Sequence, residues 1–455
     1  MRLFVRTWRC WVMVSDWKLS TLEEAGVVLI DCVHKTPPAT DQGYPYIGIP
    51  QIKNGCIDFS LNPRLISYSD YKKWTIKADP KADDIVLSRR CNPGETAYVP
   101  QGVEFALGQN LVLLRSVGHK IYPPFLRWLV RGPEWWAQVG KYLNVGAVFD
   151  SLRCGEIPRF ELLIPPLSEQ KAIAHILGCL DDKIELNRQM NETLEAMAQA
   201  LFKSWFVDFD PVIDNALAAG NAIPDELLER AEQRKGIDKK DSSDIQGLFP
   251  DEFEFTEEMG WIPKGWEVES FGDVSMCFDR LRVPLSKRER ESKKPGVIPY
   301  HGATSVMDYI NEWIFDDIYL LIGEDGSVIK EDGSPFVQYI WGKTWVNNHA
   351  HVLQGKNGVS TEHLMLFMQS QNLTAYITGA VQLKINQGNM NRIPFLNAGS
   401  KINEKFEAIV NPFYEQLRNI AEENENLVKI RDTLLPKLMS GELRILDVDT
   451  LIEDM

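Results

Sequence analysis

Three short segments carry residue types that catalysis or metal binding could use, and each lacks the context its chemistry needs. Gly342-Lys343-Thr344 ends like a phosphate-binding loop, but Val337 stands where the first glycine of that loop is required. Glu169-Gln170-Lys171 satisfies half of a nuclease signature, yet no fitting Pro-Asp precedes it, and a carboxylate is also favoured at a helix start. His349 and His351 alternate as strand residues do, which is a weak metal signal.

Other signatures of catalysis are incomplete or missing in the sequence. Asn411-Pro412-Phe413-Tyr414 partly matches the Asn-Pro-Pro-aromatic clamp of amino-methyltransferases, but it lies in a helical pattern, and no Gly-rich loop follows a predicted strand. No Gly-x-Ser-x-Gly elbow occurs. The seven cysteines are scattered and never spaced as Cys-x-x-Cys, so neither a disulfide framework nor a zinc site is expected, and a reducing cytoplasm fits best. The sequence therefore predicts no self-sufficient catalytic site and no metal site.

The composition indicates a globular chain with more than one domain. Of its 455 residues, 44% are hydrophobic, 10% aromatic and 25% charged, which excludes a disordered or fibrous protein. The length favours two or three domains. No apolar run reaches the roughly 18 to 20 residues of a spanning helix, so a soluble protein is expected. The net charge of −15 argues against a general nucleic-acid coat but does not exclude a local basic groove.

A long internal repeat organises these residues. Gly146-Ala147-Val148 recurs 233 residues later as Gly379-Ala380-Val381, and the same offset relates Asn191-Glu192-Thr193-Leu194 to Asn424-Glu425-Asn426-Leu427. Within each copy, short β-type runs mix with turn clusters and helical stretches, a pattern that predicts an α+β domain. Each domain is followed by a segment with helical periodicity.

Each copy ends in apolar residues spaced three and four apart, which predicts a long helix with a heptad seam. The first helix is expected to have about 38 residues and a length of about 57 Å. Pro412 lies inside the second seam, so that helix is expected to begin there or to kink there. Equal seams favour pairing of the two helices, and packing of each helix on its own domain is the alternative. The predicted pairing residues are Leu180, Ile184, Asn191, Leu194, Leu201, Leu417, Asn424, Leu427 and Leu434.

The predicted domain bounds follow from the repeat and the helices. Trp17 begins the first copy and aligns with Trp266 of the second. The first dozen residues have no continuous apolar stretch and no cleavage site, so a disordered leader or an upstream translation start is expected. The segments are a leader (1–12), a first domain (13–164), a first spacer helix (165–207), a linker (208–260), a second domain (261–396), a second spacer helix (397–441) and a tail (442–455).

Four runs of residues together point to one known family. They are Ile164-Pro165-Pro166-Leu167-Ser168-Glu169-Gln170, the stretch from Leu201 to Asp210, Gly260-Trp261-Ile262-Pro263-Lys264-Gly265-Trp266 and the stretch from Leu434 to Leu443. In combination with the repeat they resemble the specificity subunits of type I restriction-modification systems, over nearly the whole chain. The resemblance departs at the leader and at Ala398-Gly399-Ser400-Lys401-Ile402, where the Pro-Pro-x-x-Glu-Gln pattern is absent.

The resemblance implies both a fold and a function. The fold is α+β, with two α/β target-recognition domains related by the repeat and separated by two long antiparallel coiled-coil helices. Each domain is expected to read one half of a bipartite site on double-stranded DNA. The helices are expected to set the spacing and to dock two methyltransferase subunits. Motor-nuclease subunits join through the complex, and no membrane takes part.

The resemblance also implies that the chain is non-catalytic. S-adenosylmethionine, ATP and magnesium are expected in the partner subunits, and no cofactor is expected in this chain. A protein-protein scaffold of long helices that does not read DNA is the first alternative. A fused modifying or nicking enzyme that uses a recognition half is the second.

Candidate DNA contacts are basic and amide side chains, because Arg suits guanine, Asn or Gln suits adenine and Lys often meets phosphate. The candidates in the first domain are His34, Lys35, Gln51, Lys53, Asn54, Arg89 and Arg90. Those in the second domain are Lys287, Arg288, Arg290, Lys343, Asn347, Asn348, Lys384 and Asn386.

Overall fold

The structure is a computed structural model that describes residues 16–146, 149–236, 243–379 and 382–445. The predicted leader, most of the predicted tail, and the Ala147-Val148 and Ala380-Val381 parts of the repeat motif lie outside the described residues. The chain divides into two compact units. The first unit comprises residues 1–186 and 424–455, and the second comprises residues 187–423.

The first unit is a mixture of short strands and helices. Its strands are β1 Lys18–Thr21, β2 Val27–Asp31, β3 Tyr44–Ile47, β4 Ile52–Lys53, β5 Cys56–Ile57, β6 Arg64–Ile66, β7 Ile85–Ser88, β8 Thr96–Tyr98, β9 Ala106–Leu107, β10 Leu111–Ser116 and β11 Glu161–Ile164. Its short helices are α1 Tyr68–Thr75, α2 Pro123–Leu129 and α3 Pro133–Tyr142. The first long helix, α4, spans Leu167–Phe202, and its residues from Asn187 onward belong to the second unit.

The main sheet of the first unit has the strand order β2-β10-β7-β8 and is antiparallel. All four residues of β7 are buried, because both faces of the sheet are covered. Ile85 and Leu87 lie in the cluster that includes Phe125 of α2, whereas Val86 points into a second cluster with Phe105. Successive side chains of a strand point to opposite faces of the sheet, and in β7 the side chains on both faces are apolar.

The second unit repeats this composition of elements. Its strands are β12 Phe253–Thr256, β13 Gly260–Pro263, β14 Glu267–Ser270, β15 Ser275–Cys277, β16 Ile298–His301, β17 Val306–Ile310, β18 Phe315–Asp316, β19 Tyr319–Gly323, β20 Val337–Ile340, β21 Lys343–Val346, β22 Ala350–Gly355 and β23 Pro394–Asn397. Its short helices are α5 Asp210–Ala219, α6 Leu228–Lys235, α7 Ser243–Gln246, α8 Phe271–Val274, α9 Lys287–Ser292, α10 Thr361–Ser370 and α11 Gln387–Asn391. The second long helix, α12, spans Ser400–Met439, and its residues from Asn424 onward belong to the first unit.

The internal repeat is visible in the strand order of the two units. The order β2-β10-β7-β8 in the first unit corresponds to β15-β22-β19-β20 in the second. In each unit a second sheet contains one parallel pair, β3 with β9 and β16 with β21. The opening strand pairs with the strand before the long helix, as β1 with β11 and β14 with β23. The predicted α+β class and the repeat are confirmed.

The two long helices have 36 and 40 residues, and the ends of the second follow ordinary capping rules. Helix α12 begins at Ser400, after Gly399 with a φ of 85°, and it continues through Pro412 to Met439. The expectation that Pro412 could begin this helix is therefore wrong. Because Pro412 is exposed, water can satisfy the carbonyl that loses its helical donor there. Gly441, with a φ of 73°, follows the C-terminus as a left-handed stop.

The helices pair within each unit. In the first unit, Arg431 Nη1 donates to Asp181 Oδ1 at 2.8 Å and Asn424 Nδ2 to the Ile184 carbonyl at 3.5 Å, so the two segments run antiparallel. In the second unit, Asn187 Nδ2 donates to Glu423 Oε2 at 2.7 Å. Packing of each helix on its own domain alone is therefore excluded. The predicted seam residues that are half-buried are Leu180, Ile184, Asn191, Leu194, Leu201, Asn424, Leu427 and Leu434, and Leu417 is buried.

The segment 208–260 has more structure than a linker is expected to have. It contains α5 and α6, and its Val212 and Phe249 lie in the hydrophobic core of the second unit with Trp266. Arg230 and Arg234 form ion pairs with carboxylates of α5. The described residues of this segment, 208–236 and 243–260, are therefore a folded part of the second unit. No helix in the described part of the chain has the length and hydropathy of a membrane span.

Candidate nucleic-acid interface

The candidate site of the first unit lies where β7 ends and β10 begins. The Arg89 N–H donates to the Asn110 carbonyl at 3.1 Å, and the Leu152 N–H donates to the Arg89 carbonyl at 2.8 Å. The next residue, Arg90, bridges to Ser151. Three chain segments are thus fixed side by side at one edge of the sheet.

The second unit has the same backbone arrangement where β19 ends and β22 begins. The Glu324 N–H donates to the His349 carbonyl at 2.8 Å, and the Ile385 N–H donates to the Glu324 carbonyl at 2.9 Å. Asp325 bridges to Lys384. The hydrogen bonds therefore define four pairs of equivalent positions, which we call the edge frame: Arg89 and Glu324, Arg90 and Asp325, Asn110 and His349, and Ser151 and Lys384.

The edge frame of the first unit is cationic. His34 Nε2 lies 2.8 Å from Asp31 Oδ2, and Arg89 Nη2 lies 3.2 Å from His34 Nδ1. Lys77 Nζ also reaches Asp31 Oδ2, at 3.4 Å. Burial raises the pKa of Asp31, but the hydrogen bond and charge of His34 and the charge of Lys77 outweigh it, so that pKa lies below its usual value. Among the described residues, the buried Arg89 Nε has no hydrogen-bond partner.

Other polar groups surround this cationic edge. The guanidinium of Arg90 lies 5.6 Å from the ring centre of Phe149, and its buried Nε also has no partner among the described residues. Lys35 is exposed, and its carbonyl accepts a hydrogen bond from Trp74 Nε1 at 2.9 Å. An adjoining cleft of about 220 Å³ is lined by nine residues that include Gln109 and Asn110. The structure therefore brings the predicted candidates His34, Lys35, Arg89 and Arg90 into one region.

The edge frame of the second unit is an ion-pair network. Glu324 Oε2 accepts from Arg282 Nη1 at 2.7 Å, and Glu324 Oε1 lies 3.1 Å from Lys384 Nζ. His349 Nδ1 forms a short contact with Asp325 Oδ1. Burial raises the pKa of Glu324, but its bonds to Arg282 and Lys384 lower that pKa below the usual value. Lys384 and His349 remain about half exposed, at 47% and 46% of their side-chain surface.

A buried histidine supports this network from below. His351 Nδ1 lies 2.5 Å from Asp279 Oδ2, and His351 Nε2 lies 3.0 Å from the Ile385 carbonyl. Asp279 is also 3.2 Å from Arg282 Nη2. Burial raises the pKa of Asp279, but the hydrogen bond and charge of His351 lower it below the usual value. The predicted alternation of His349 and His351 therefore separates an exposed histidine from a buried one.

Two groups of side chains have metal-like spacing, and their chemistry does not favour a metal. They are Asp31, Cys32 and His34, and Cys277, Asp279 and His351, each with ligand atoms within 4.8 Å of one another. Burial raises the pKa of the Cys32 thiol to about 11 and that of Cys277 to about 12, so neither is a thiolate near neutral pH. The arginines beside both groups also oppose a cation. His349 belongs to neither group.

Two predicted DNA contacts are buried, and these predictions are corrected. Gln51 Oε1 accepts from the Gly48 N–H at 2.9 Å, and its Nε2 donates to the Leu61 carbonyl at 3.1 Å. Asn347 Oδ1 accepts from the His349 N–H at 2.8 Å, and its Nδ2 faces Met307 Sδ at 3.4 Å. Both amides satisfy neighbouring groups of the fold and are not available to a base.

Two further candidates are held in structural roles. Asn386 Oδ1 accepts from the Asn389 N–H at 2.8 Å as the N-cap of α11. Arg290 Nε donates to Asp308 Oδ2 at 3.1 Å, and its guanidinium lies 5.2 Å from the ring centre of Tyr300. These contacts account for the two side chains without DNA, so they are weaker candidates than the sequence indicates.

The remaining candidates are exposed. Lys53 and Asn54 belong to the β4–β5 hairpin, where Asn54 and Gly55 have φ values of 51° and 82° and form a two-residue turn. Lys343 Nζ lies 3.9 Å from the ring centre of Trp313. Lys287, Arg288 and Asn348 are exposed. The predicted set is therefore distributed over several surfaces, and only part of it meets at the edge frame.

Sequence reasoning missed most of the edge frame. Asn110, Ser151, Glu324 and Asp325 were not among its candidates, and His349 was considered only as a metal ligand. One signal was present in the sequence, because the 233-residue offset of the repeat places Ser151 on Lys384. The offset between Arg89 and Glu324 is 235 residues, so the constant-offset alignment does not match them.

Comparisons with known proteins agree with this duplicated architecture. A family model described as "Type I restriction modification DNA specificity domain" matches residues 15–196 and 263–426. The chain is similar to the type I restriction enzyme HindI specificity subunit of Haemophilus influenzae, with 25% identity over 416 residues, 81% of this chain and 88% of that protein. It is also 25% identical to the MjaIX specificity subunit of Methanocaldococcus jannaschii over 453 residues, 95% of this chain and 94% of that one. The crystal structure of a type I restriction-modification S subunit from M. genitalium shares the fold, with a TM-score of 0.51, 15% identity and coverage of 93% of this chain and 96% of that one.

Proposed function

The chain belongs to the type I restriction-modification DNA specificity domain family, and we propose that each of its two units reads one half of a bipartite DNA target. It is the DNA sequence-specificity subunit of a type I restriction-modification complex and is non-catalytic. The long helices set the spacing between the half-sites. Double-stranded DNA is therefore its ligand.

The duplicated edge frame is the observation that carries this proposal. Four backbone positions are fixed by the same hydrogen bonds in both units, yet none of the four carries the same side chain in the two copies. A frame that keeps its backbone and changes its polar side chains suits two readers of different sequences, because base identity is read by side-chain donors and acceptors. A scaffold that does not read DNA has no need of such divergent polar sets at equivalent positions.

The charge of the chain fits local rather than general contact with DNA. The net charge is −15, so affinity cannot come from an overall basic surface. The first edge frame concentrates Arg89 and Arg90 with the nearby Lys35 and Lys77. Such a local cluster supports phosphate or base-edge contact within an otherwise acidic protein.

The outer surface of the long helices supports a role in assembly. Helix α4 exposes Leu186, Met190 and Met197, with 55%, 46% and 48% of their surface accessible. Their four- and seven-residue separations place them on one side of the helix. Exposed apolar residues at helical spacing suit protein contact. We assign this side of α4 to the docking of two methyltransferase subunits, through which the motor-nuclease subunits also join.

The proposal divides the chemistry between subunits. Methyl transfer with S-adenosylmethionine and ATP-driven translocation and cleavage with magnesium belong to the partners, and this chain contributes recognition without a cofactor. Adenine flipping takes place in the pocket of the methyltransferase. We place the complex and its DNA in the cytoplasm.

The test is co-expression of the chain with its cognate methyltransferase subunit, followed by single-molecule mapping of methylated adenines. We expect one split motif with a fixed gap, and exchange of one recognition domain should change only one half of it. A complex that purifies intact but leaves no motif would favour the scaffold alternative. Methyl transfer by the isolated chain would favour the fused enzyme.

A further inference from the structure

The two edge frames carry their positive charge on opposite sides of the same backbone bridge. In the first unit, the residues after β7 are Arg89 and Arg90, and the residue across the bridge is the neutral Ser151. In the second unit, the residues after β19 are acidic, and the cation is Lys384 across the bridge. The positively charged hydrogen-bond donors therefore occupy different positions of the edge frame in the two units.

In both units, a partly buried carboxylate holds the donor in place, through His34 for the half-buried Arg89 and directly for the exposed Lys384. Asp31 contacts His34 at 2.8 Å, and His34 in turn lies 3.2 Å from Arg89. Glu324 holds Lys384 at 3.1 Å. A donor that is already oriented loses less side-chain freedom on binding, which favours discrimination between ligands.

We infer that the edge frame sets the base preference at one position of each half-site, with Arg89 as the reading side chain in the first unit and Lys384 in the second. This inference rests on the proposed function and adds the residues that determine specificity. Arg and Lys donate to O6 and N7 of guanine in the major groove. Each half of the motif should therefore contain a guanine recognised from this frame. Glu324 is a positioning residue that acts through Lys384.

The first experiment substitutes the reading side chains in the co-expressed complex and maps methylated adenines. Arg89→Gln should relax one guanine position of one half-site by about tenfold or more, because a bidentate contact contributes that much discrimination. Lys384→Gln should do the same in the other half-site. The matched controls are Lys73→Gln and Lys330→Gln, two exposed lysines outside the edge frames of the first and second unit, and they should leave the motif unchanged.

The second experiment tests the positioning role. Glu324→Gln keeps the size of the side chain and removes the ion pair with Lys384. It should broaden the second half of the motif while the first half and the gap stay unchanged. Glu324→Asp should restore part of the preference, since it keeps the charge. A purely structural role of Glu324 would instead lower the yield of complex and methylation at all sites in parallel.

The outcomes separate this inference from the proposed function. If the wild-type complex gives no split motif, the proposed function itself fails. If the wild type gives the motif and Arg89→Gln and Lys384→Gln leave both halves intact in complexes of normal yield, the edge frame does not read bases and the inference is overturned. A change confined to the half-site of the substituted unit supports it.

Discussion

Arg444, five residues after the second long helix ends, donates from Nε to Oε1 of Glu169 at 2.7 Å, near the start of the first long helix. Glu169 Oε2 also accepts from Trp17 Nε1 at 2.9 Å. Arg444 reaches Asp16 as well, at 2.9 Å. Hydrogen bonds to Glu169 and Asp16 raise the pKa of Arg444, so it stays charged. One carboxylate of the first unit therefore joins residues from three distant parts of the chain.

The first prediction concerns this carboxylate. Only 5% of the Glu169 side chain is exposed, so Glu169→Gln should lower the free energy of unfolding by about 2 kcal/mol through weaker bonds to the charged Arg444. Urea unfolding followed by tryptophan fluorescence measures the change. Glu161→Gln is the matched control, because its pair with Lys141 is half exposed, and it should cost less than about 0.5 kcal/mol. Equal effects of the two substitutions would refute the role of Glu169.

The second prediction compares the two asparagines of the helix seam, which the repeat makes equivalent. Asn191 Oδ1 is buried without a partner among the described residues, whereas Asn424 Nδ2 donates to the Ile184 carbonyl. Asn191→Leu should therefore stabilise the protein by about 1 kcal/mol, because it removes an unsatisfied acceptor. Asn424→Leu should be neutral or destabilising. Thermal melting of the two variants in parallel measures the difference, and a larger gain at Asn424 would contradict the prediction.

The helices and the repeat could be predicted because their signals are local and periodic. Asn191 and Asn424 fall at one heptad position in the sequence, and both are half-buried in the structure. The two asparagines differ in their tertiary contacts, which the sequence pattern does not reveal. The same holds for Trp17, which donates to Glu169, and for the equivalent Trp266, whose buried Nε1 has no partner among the described residues.

The candidate site could be predicted only in part, because residue type does not reveal which polar groups the fold consumes. Gln51 has the chemistry of an adenine reader, yet its amide bonds a carbonyl ten residues away. The opposite error, a missed residue, concerns Glu324. Because the candidates are chosen among basic and amide side chains, this acidic residue is not one of them. Its equivalence to Arg89 follows from backbone hydrogen bonds and not from a constant offset in the sequence.

The third prediction concerns the folded segment between the repeat copies. Arg230 donates from Nε to Asp210 Oδ1 at 2.7 Å and from Nη2 to Oδ2 at 2.8 Å, and Ser204 donates to Oδ2 at 2.7 Å. Asp210 is buried, so Asp210→Asn should destabilise the second unit by about 2 kcal/mol, because it weakens the charged hydrogen bonds from Arg230, which keeps Asp208 as a second partner. Limited proteolysis within 208–260 measures the loosening. The exposed Asp225→Asn is the control and should behave as wild type.

The same carboxylate predicts acid sensitivity. Burial raises the pKa of Asp210, but the hydrogen bonds from Arg230 and Ser204 and the charge of Arg234 lower it below its usual value. The stabilisation by the charged Asp210 is therefore fully present above the pKa of an unfolded aspartate, about 3.9. It is lost as the pH falls through the lower pKa that Asp210 has in the folded protein. Wild type should lose stability below about pH 4 more steeply than Asp210→Asn. Parallel slopes of the two unfolding midpoints against pH would contradict this.

The fourth prediction concerns a buried histidine in the aromatic core of the second unit. The ring centres of Phe206 and Phe406 lie 4.6 and 5.0 Å from that of His363, and burial lowers the pKa of His363 to about 3. The imidazole of His363 binds a proton near pH 6.5 in the unfolded chain but stays neutral in the folded protein. Protonation therefore does not reduce the free energy of unfolding above that pH. The free energy of unfolding should decline by about 1.4 kcal/mol per pH unit below it. His363→Phe should reduce the slope of the urea midpoint between pH 6.5 and 5, leaving the share of His301, whose pKa burial also lowers, whereas the exposed His119→Gln should retain the full slope. An unchanged slope in His363→Phe would show that the acid sensitivity arises elsewhere.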